Sequence, residues 1–306
     1  MSIKNTNTNV IDKKEREKNR IKTIVFTILL YTGLVLFALF VIIPFYWMVL
    51  TALKSDADLT ALPPKLFLPF KDLNFSNFTN AFARAPFARN MMNTVIVAMI
   101  STVGTLVTTI LASFAFARLN FRGRDLLFVI FLSTMMIPGE IFVITNYSTV
   151  ARIGWLGADE LAQTYGQALL AMTFPFMTSV FYIFFLRQTF KSIPDELYLA
   201  AKVDGTSDFK YLRRVMVPIA SPTIVTITIL NAMGTWNAYI WPNLVTSNAD
   251  FRLVTDGLRN AYTDGLGTIF NEQMAAALIV TIPLLLVFLF LKKYIMRGVS
   301  RSGIKG

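Results

Sequence analysis

A few polar and aromatic side chains interrupt long apolar stretches of this sequence, and they have the chemistry to bind a polar solute. Aromatic faces combined with amide or carboxylate hydrogen bonds suit hydroxyl-rich molecules, whereas exposing such groups to lipid is costly. We therefore expect these side chains to face the interior of a helix bundle. They are Glu140, Asn146, Tyr147, Asn231, Trp236, Asn237 and Tyr239.

Each of these side chains also has a purely structural interpretation. Trp236 and Tyr239, like Trp241, can anchor a helix at the boundary between lipid and water. Asn231 can hydrogen-bond a neighbouring helix, and Glu140 can do the same as a buried carboxyl group. The sequence leaves both interpretations open.

Other kinds of chemistry are excluded by what the sequence lacks. It contains neither cysteine nor histidine, which removes disulfides, thiol nucleophiles, imidazole bases and the commonest metal ligands. We therefore predict no catalytic residue and no metal site, and a membrane enzyme is the weakest of three hypotheses. The phosphate-binding pattern G-x-x-x-x-G-K-[ST] is also absent, so we expect no ATP binding by this chain.

The composition indicates an integral membrane protein. Of the 306 residues, 55% are hydrophobic and 27 are phenylalanine, and the mean hydropathy is +0.56. The formal charge of +11 then indicates basic loops that face lipid head groups, because a nucleic-acid-binding protein would not be this apolar. The lipid bilayer is therefore an expected partner, and nucleic acid is not.

Six apolar segments have the length of a membrane-spanning helix, so we predict an all-α fold with six transmembrane helices. The first segment is too long for a signal-peptide core, and we interpret it as a retained span. We predict one membrane domain over residues 23–296, with polar tails at 1–22 and 297–306. The spans are expected near residues 23–50, 91–117, 126–147, 166–186, 215–241 and 274–296.

The distribution of basic residues predicts the orientation of the spans. With the amino-terminal tail in the cytoplasm, 21 of the 29 lysines and arginines fall in cytoplasmic segments. Cytoplasmic loops of membrane proteins carry such an excess. We therefore expect both termini in the cytoplasm. Pro138, Pro175 and Pro283 interrupt predicted spans and are expected to kink them, either as hinges or as fixed bends.

Residues 194–218, here called the elbow, form a polar segment between the fourth and fifth apolar runs. We expect Ser192 to cap a first short helix that begins at Pro194, and Asp204-Gly205 to end it through left-handed backbone. Two short helices joined at a glycine corner would make a rigid surface for docking.

The second helix of the elbow is expected to restart at once. Ser207 and Asp208 are the expected caps, and the spacing of Phe209, Leu212 and Val215 places them on one face, before the apolar run through Val217.

The elbow also carries a family resemblance. The pattern A-A-x-x-D-G at residues 200–205, followed by V-x-V-P at 215–218, resembles the EAA loop of permease subunits in bacterial ABC importers. The segments I-P-x-E-L at 193–197 and V-P-I-A-S-P at 217–222 are similar to the carbohydrate branch of that family, the maltose-permease type. M-M-I-P at 135–138 and W-N-A-Y-I-W-P at 236–242 extend the likeness over most of the chain.

The resemblance implies a type I ABC importer permease in a bacterial cell membrane, with 192–214 as the loop that couples it to an ATPase. Its implied partners are a related second permease subunit, two ATPase subunits that bind ATP and Mg²⁺, and an external solute-binding protein. A sugar or oligosaccharide is the implied cargo. The implied ATPase-coupling residues are Glu196, Leu197, Tyr198, Leu199, Ala200, Ala201, Lys202, Asp204 and Gly205.

One position departs from the family pattern. Leu199 stands where the family has its name-giving glutamate, while Glu196 lies three residues earlier. Two modes of coupling are compatible with the sequence: coupling through shape, and a charged contact that has moved to Glu196. The main alternative function is a self-contained secondary carrier or channel, although Glu140 is the one acidic residue inside a predicted span.

Overall fold

The structure is a computed structural model that describes residues 4–84, 86–157, 162–246, 248–260, 263–264 and 267–300. These residues divide into two compact units, one up to residue 75 and one from residue 76 onward. In both units the described chain is almost entirely helical, which confirms the predicted all-α class.

The first unit is dominated by one long helix, α1 (Lys4–Ala52), followed by the short helix α2 (Asp56–Leu59) and a 3₁₀ turn at Phe70–Asp72. The predicted span 23–50 lies within α1, and residues 4–22 of the predicted tail continue the same helix. Ser55 caps α2 by accepting a hydrogen bond from the amide of Asp58 at 3.3 Å. The carboxylate of Asp58 in turn pairs with Lys65.

The second unit contains the remaining helices. The structure adds 3₁₀ turns at Gly139–Ile141, Phe174–Phe176 and Ala249–Phe251, a π-helical turn at Leu212–Met216, and a two-residue antiparallel pair of β1 (Thr263–Asp264) with β2 (Gly267–Thr268). The α-helices, in chain order, are α3 (Ser76–Arg84), α4 (Phe87–Arg118), α5 (Arg124–Thr134), α6 (Phe142–Ile153), α7 (Tyr165–Thr173), α8 (Val180–Lys191), α9 (Asp195–Val203), α10 (Asp208–Tyr211), α11 (Val217–Ile219), α12 (Ser221–Trp236), α13 (Ile240–Val245), α14 (Val254–Asn260) and α15 (Phe270–Ser300).

Three continuous helical segments are long and apolar enough to cross a membrane, namely Asn19–Ala52, Phe87–Arg118 and Phe270–Phe290. Three further candidates are bent pairs of helices. The bend is 85° between α5 and α6, 53° between α7 and α8, and 80° between α11 and α12. The described chain therefore has three candidate spans, or up to six if each bent pair crosses as one. The predicted fifth span, 215–241, extends beyond the end of α12 at Trp236.

Two of the three prolines expected to kink spans lie at these bends. Pro138 precedes the turn between α5 and α6, and Pro175 lies in the 3₁₀ turn between α7 and α8. Each removes an amide donor where the helical ladder is interrupted. Pro283 differs, because α15 continues through it as helix.

The core of the second unit forms where α4, α8 and the segment 211–227 meet. Buried side chains from all three interdigitate there. The hydroxyl of Ser113 donates to the carbonyl of Ile183 at 2.9 Å, which allows α4 and α8 to approach closely. The buried side chains of this cluster are Phe114, Ala117, Leu186, Phe190, Ile193, Tyr211, Leu212, Met216, Ala220 and Ile227.

The opposite end of α4 holds the segment 248–256 by polar contacts. The amide of Asn93 donates to the carbonyls of Asp250 and Arg252, at 2.8 and 3.1 Å. The hydroxyl of Thr94 accepts the amide of Val254 at 2.9 Å. The 3₁₀ turn and the first amide of α14 thus find hydrogen-bond partners on α4, which fixes this segment in place.

Candidate functional site

The elbow begins where α8 ends. Ser192 is the C-cap of α8, and its hydroxyl donates to the carbonyl of Thr189 at 2.8 Å. α9 starts at Asp195, behind Pro194, without a side-chain cap. The expectation that Ser192 caps α9 is therefore wrong, because its hydroxyl satisfies a carbonyl of the preceding helix instead.

The glycine corner is present as predicted. Gly205 has a φ of +70°, in the left-handed region. The amide of Gly205 donates to the carbonyl of Lys202 at 3.1 Å, and the amide of Thr206 donates to the carbonyl of Ala201 at 2.8 Å. This pair of bonds is the Schellman arrangement, which satisfies the last carbonyls of α9 and turns the chain sharply into α10.

The inner face of α9 is fixed to α10 by a small polar network. The hydroxyl of Tyr198 donates to the carboxylate of Asp208 at 2.7 Å, and the ammonium group of Lys202 lies 2.6 Å from the same carboxylate oxygen. The ring of Tyr198 also packs at 5.1 Å from the ring of Tyr211, which is buried in the core. The two halves of the elbow are thereby held as one body.

This network changes the role expected for Lys202. Its hydrogen bond to Asp208 raises the pKa of the Lys202 ammonium group, so the group remains charged at any physiological pH. Burial is the main cause of the raised pKa of Tyr198, which keeps its hydroxyl protonated as a donor. Lys202 therefore stabilises the elbow internally, although the sequence places it among the residues that would meet a partner.

The outer face of α9 consists of Glu196, Leu199, Ala200 and Val203, which recur at helical spacing and are all exposed. Leu199 has 62% of its surface exposed and Val203 has 88%. Leu197 is also exposed, on the flank of the same helix. These apolar side chains lie on the polar elbow and not on a candidate span, and contiguous exposed apolar residues outside a membrane are a common feature of protein–protein contact surfaces. Sequence reasoning missed Val203, although its position four residues after Leu199 indicates the same face.

Phe209 does not share one face with Leu212 and Val215, as the spacing predicted. Leu212 is buried and Val215 is half-buried, as expected, but 65% of the Phe209 surface is exposed. The π-helical turn at Leu212–Met216 follows α10 directly and has more residues per turn than an α-helix. Residues spaced for one face of an α-helix therefore point in different directions across it. Phe209 thus adds to the exposed apolar surface of the elbow.

A cavity of about 250 Å³ lies in the second unit between α4, α8, α12 and their neighbours. Of the predicted solute-binding residues, Asn231 lines it. Its amide also donates to the hydroxyl of Thr102 at 3.2 Å, so it bridges two helices as the structural interpretation expected. The other lining residues are Val97, Ser101, Met172, Phe176, Tyr182, Gly234, Thr235, Ala238, Trp241, Pro242 and Leu253.

The lining combines aromatic rings with neutral hydrogen-bonding groups. Phe176, Tyr182 and Trp241 supply the rings, and Asn231, Ser101 and Thr235 supply polar side chains. None of the described lining residues is charged. Sequence reasoning missed Phe176 and Tyr182, since each comes from a separate helix and neither is polar enough to interrupt the pattern of its span. Within the described ranges, no group of three or more acidic side chains could hold a metal ion.

The remaining candidates for solute binding do not line this cavity. Trp236 is buried, and its indole nitrogen has no hydrogen-bond partner among the described residues. The amide of Asn237 donates to the carbonyl of Met233 at 2.9 Å on its own helix, and the ring of Tyr239 lies 5.0 Å from the guanidinium of Arg259. Glu140, Asn146 and Tyr147 lie at and after the bend between α5 and α6, where Glu140 and Tyr147 are exposed and Asn146 is half-buried.

Several curated proteins resemble this chain along most of its length. The probable ABC transporter permease protein MG189 of Mycoplasma genitalium is 29% identical over 297 residues, covering 94% of this chain and 91% of that protein. The arabinooligosaccharides transport system permease protein AraQ of Bacillus subtilis is 25% identical over 283 residues, covering 92% and 97%. The sn-glycerol-3-phosphate transport system permease protein UgpE of Pectobacterium atrosepticum is 29% identical over 218 residues, covering 71% and 74%.

The fold has a counterpart among solved structures. A chain of a bacterial ABC transporter involved in the import of the acidic polysaccharide alginate superimposes with a TM-score of 0.74 at 24% identity, covering 88% of this chain and 96% of that one. The sequence profile of one family, described as the binding-protein-dependent transport system inner membrane component, matches residues 104–301. That match spans well over half of the sequence and includes the elbow and most of the cavity, and the chain therefore belongs to this family of transport permeases.

Proposed function

We propose that this chain is the permease subunit of an ATP-driven importer that receives a sugar or oligosaccharide from an external binding protein. The observation that carries the proposal is the apolar outer face of α9, held rigidly on the helix core inside the region that matches the family. The sequence has no phosphate-binding loop, so ATP and Mg²⁺ would bind to a separate ATPase that covers this face.

The proposed topology has six spans, made of the three continuous apolar helices and the three bent pairs. Lysine and arginine are in excess in four segments: the amino-terminal tail, the 118–124 turn, the elbow and the carboxyl-terminal tail. This excess supports a cytoplasmic location for all four. The elbow then lies on the cytoplasmic side of the membrane, where an ATPase can bind it. The 248–256 segment lies on the external side, which the binding protein approaches.

Docking of the ATPase would rely on apolar contact. Leu199 and Val203 project from α9 one turn apart, and no carboxylate stands at residue 199. Burying one such side chain at an interface contributes about 1.5–3 kcal/mol. The inner-face network ties α9 to α10, so a push on the outer face of α9 would displace the whole elbow. Alternating access would follow, with ATP binding favouring the outward-facing state and hydrolysis resetting it.

The cavity is the proposed solute contact of this subunit. Its rings and neutral hydrogen-bonding groups match the two kinds of surface that a sugar presents. A phosphate or carboxylate would enter it without a compensating charge, at a considerable desolvation cost. The cavity therefore favours a neutral sugar unit, even though one relative is named for a phosphorylated polyol.

The bend between α5 and α6 is proposed to face the second permease subunit and the pathway between the two. Residues 135–141 are exposed in this chain, and their backbone departs from regular helix. Non-helical backbone within a bilayer is tolerated only against protein or water. Glu140 lies at this bend, so a position on the aqueous pathway also accounts for its exposed carboxyl group.

The carbohydrate assignment can be tested on the binding protein that co-purifies with the complex. We expect mono- or oligosaccharides to raise its melting temperature in a thermal-shift screen, with neutral sugars more effective than sugar phosphates. A binding protein stabilised only by peptides or metal ions would remove the carbohydrate assignment and leave the importer intact. Uptake that persists without ATP and without the partner subunits would instead favour a self-contained carrier.

The mode of docking can be tested by restoring the family carboxylate. We expect Leu199→Glu to lower the stimulation of ATPase activity by loaded binding protein by about tenfold or more, since a charge would replace an apolar contact worth about 1.5–3 kcal/mol. Val203→Asp should act similarly, and Val203→Ile should behave as wild type. If the charged contact has moved to Glu196 instead, Glu196→Gln will lower stimulation while Leu199→Glu leaves it unchanged or raises it.

The glycine corner predicts a second set of variants. Gly205→Val should uncouple uptake from ATP hydrolysis while the subunit is still inserted, because a β-branched residue at positive φ costs about 1–2 kcal/mol and distorts the corner. Gly205→Asn is the matched control, since asparagine tolerates left-handed backbone. Normal uptake with normal ATP turnover in the valine variant would contradict a role for the elbow in coupling.

Solute binding in the cavity can be tested with two asparagines, Asn231 within α12 and Asn237 at its C-cap. Asn231→Ala should reduce uptake by up to about tenfold, because the solute would lose one hydrogen bond worth about 0.5–1.5 kcal/mol. Basal ATP turnover should be retained. Asn237→Ala should have little effect, because its amide bonds only to its own helix. Equal losses in the two variants, measured as initial uptake rates in vesicles, would place the solute outside this cavity.

A further inference from the structure

Arg118 is the last residue of α4, and its guanidinium is enclosed by the start of the elbow. Only 4% of its side chain is exposed. One terminal nitrogen donates to the carbonyl of Phe190 at 2.9 Å and also to the carbonyl of Ile193. Phe190 lies in the last turn of α8, where the helix dipole favours a positive charge, and Ile193 lies two residues beyond the helix end.

The other terminal nitrogen of Arg118 forms an ion pair with Asp195, the first residue of α9. Asp195 itself is 79% exposed. One buried guanidinium therefore joins three segments: it is carried by α4, satisfies the end of α8 and holds the start of α9. α4 is separated from the elbow by more than seventy residues of sequence, so this contact links them directly among the described residues.

Separating these segments would leave a charge buried without its partners. Such a change is strongly unfavourable, because a buried cation depends on its hydrogen bonds and its counter-ion. The packing around the guanidinium acts in the same direction, since Phe114 and Ala117 of α4 lie in one cluster with Phe190 and Ile193. α4, the end of α8 and the start of α9 should consequently move as one body.

We infer that Arg118 is a positioning residue that transmits displacement of the elbow to α4, and through α4 to the cavity. The inference rests on the proposed coupling of the elbow to an ATPase. α4 is unbroken from Arg118 to Ser101, which lines the cavity about 25 Å away at 1.5 Å per residue. The covalent route from the elbow into α12 passes instead through an 80° bend.

Removing the exposed partner tests the inference without burying a new polar group. In the assembled complex, Asp195→Asn should keep ATPase binding and basal ATP hydrolysis but lower the stimulation by loaded binding protein by about fivefold or more, within the usual range of coupling between sites. Asp195→Glu should restore it. Asp125→Asn is the matched control, since Asp125 is also an exposed carboxylate, at 73%, and its arginine partners Arg124 and Arg187 lie outside the elbow.

A distance measurement separates transmission from a merely structural role. The chain has no cysteine, so spin labels can be attached to two introduced cysteines alone. The label sites are Arg122→Cys, just beyond α4, and Ser207→Cys, at the corner of the elbow. We expect the distance between them to be the same in the nucleotide-free and ATP-bound complexes, and to change between those states in the Asp195→Asn background.

Two results would overturn the inference. One is normal stimulation in Asp195→Asn, and the other is a label distance that changes with ATP in the otherwise native chain. Neither result would affect the proposed docking of the ATPase. That proposal is contradicted if Leu199→Glu and Val203→Asp leave assembly and stimulation unchanged.

Discussion

The elbow depends on the packing of α4 and α8 against the segment 211–227, around side chains without exposed surface such as Leu186, Phe190 and Met216. Replacing one such residue by alanine typically costs about 2–5 kcal/mol, so this contact is a strong constraint. Arg118 lies at its edge and extends the same contact to α9. The nine-residue helix α9 is therefore attached to a well-packed core, which the proposed coupling to an ATPase requires.

α9 divides its residues between two tasks. Tyr198 and Lys202 bind Asp208 on the inner face, where they hold the corner closed. Leu199 and Val203 remain in the solvent on the outer face, where burial would otherwise stabilise the fold. α9 is therefore held by the packing of Tyr198 on Tyr211, by a few polar contacts and by the glycine corner, whereas Leu199 and Val203 add little buried surface to the fold.

Features set by local chemistry could be predicted from the sequence. The glycine corner, the all-helical class and the proline breaks at 138 and 175 all follow from single residues and short patterns. Features that depend on tertiary contacts could not. Phe209 was placed on the wrong face because a π-helical turn follows it, and the cavity escaped prediction because Tyr182 and Phe176 meet Asn231 only after three helices pack. The contacts of Arg118 were hidden for the same reason, since its partners lie more than seventy residues away in sequence.

The exposed stripe on α9 also bears on how such a complex is built in the cell. An orphan copy of this subunit would present Leu199, Val203 and Phe209 to water, and such surfaces are sites of self-association and of recognition by chaperones and proteases. Assembly with a partner covers the stripe and removes that signal. If these residues bind an ATPase as proposed, degradation of unassembled copies would tie the abundance of the subunit to the supply of its partner.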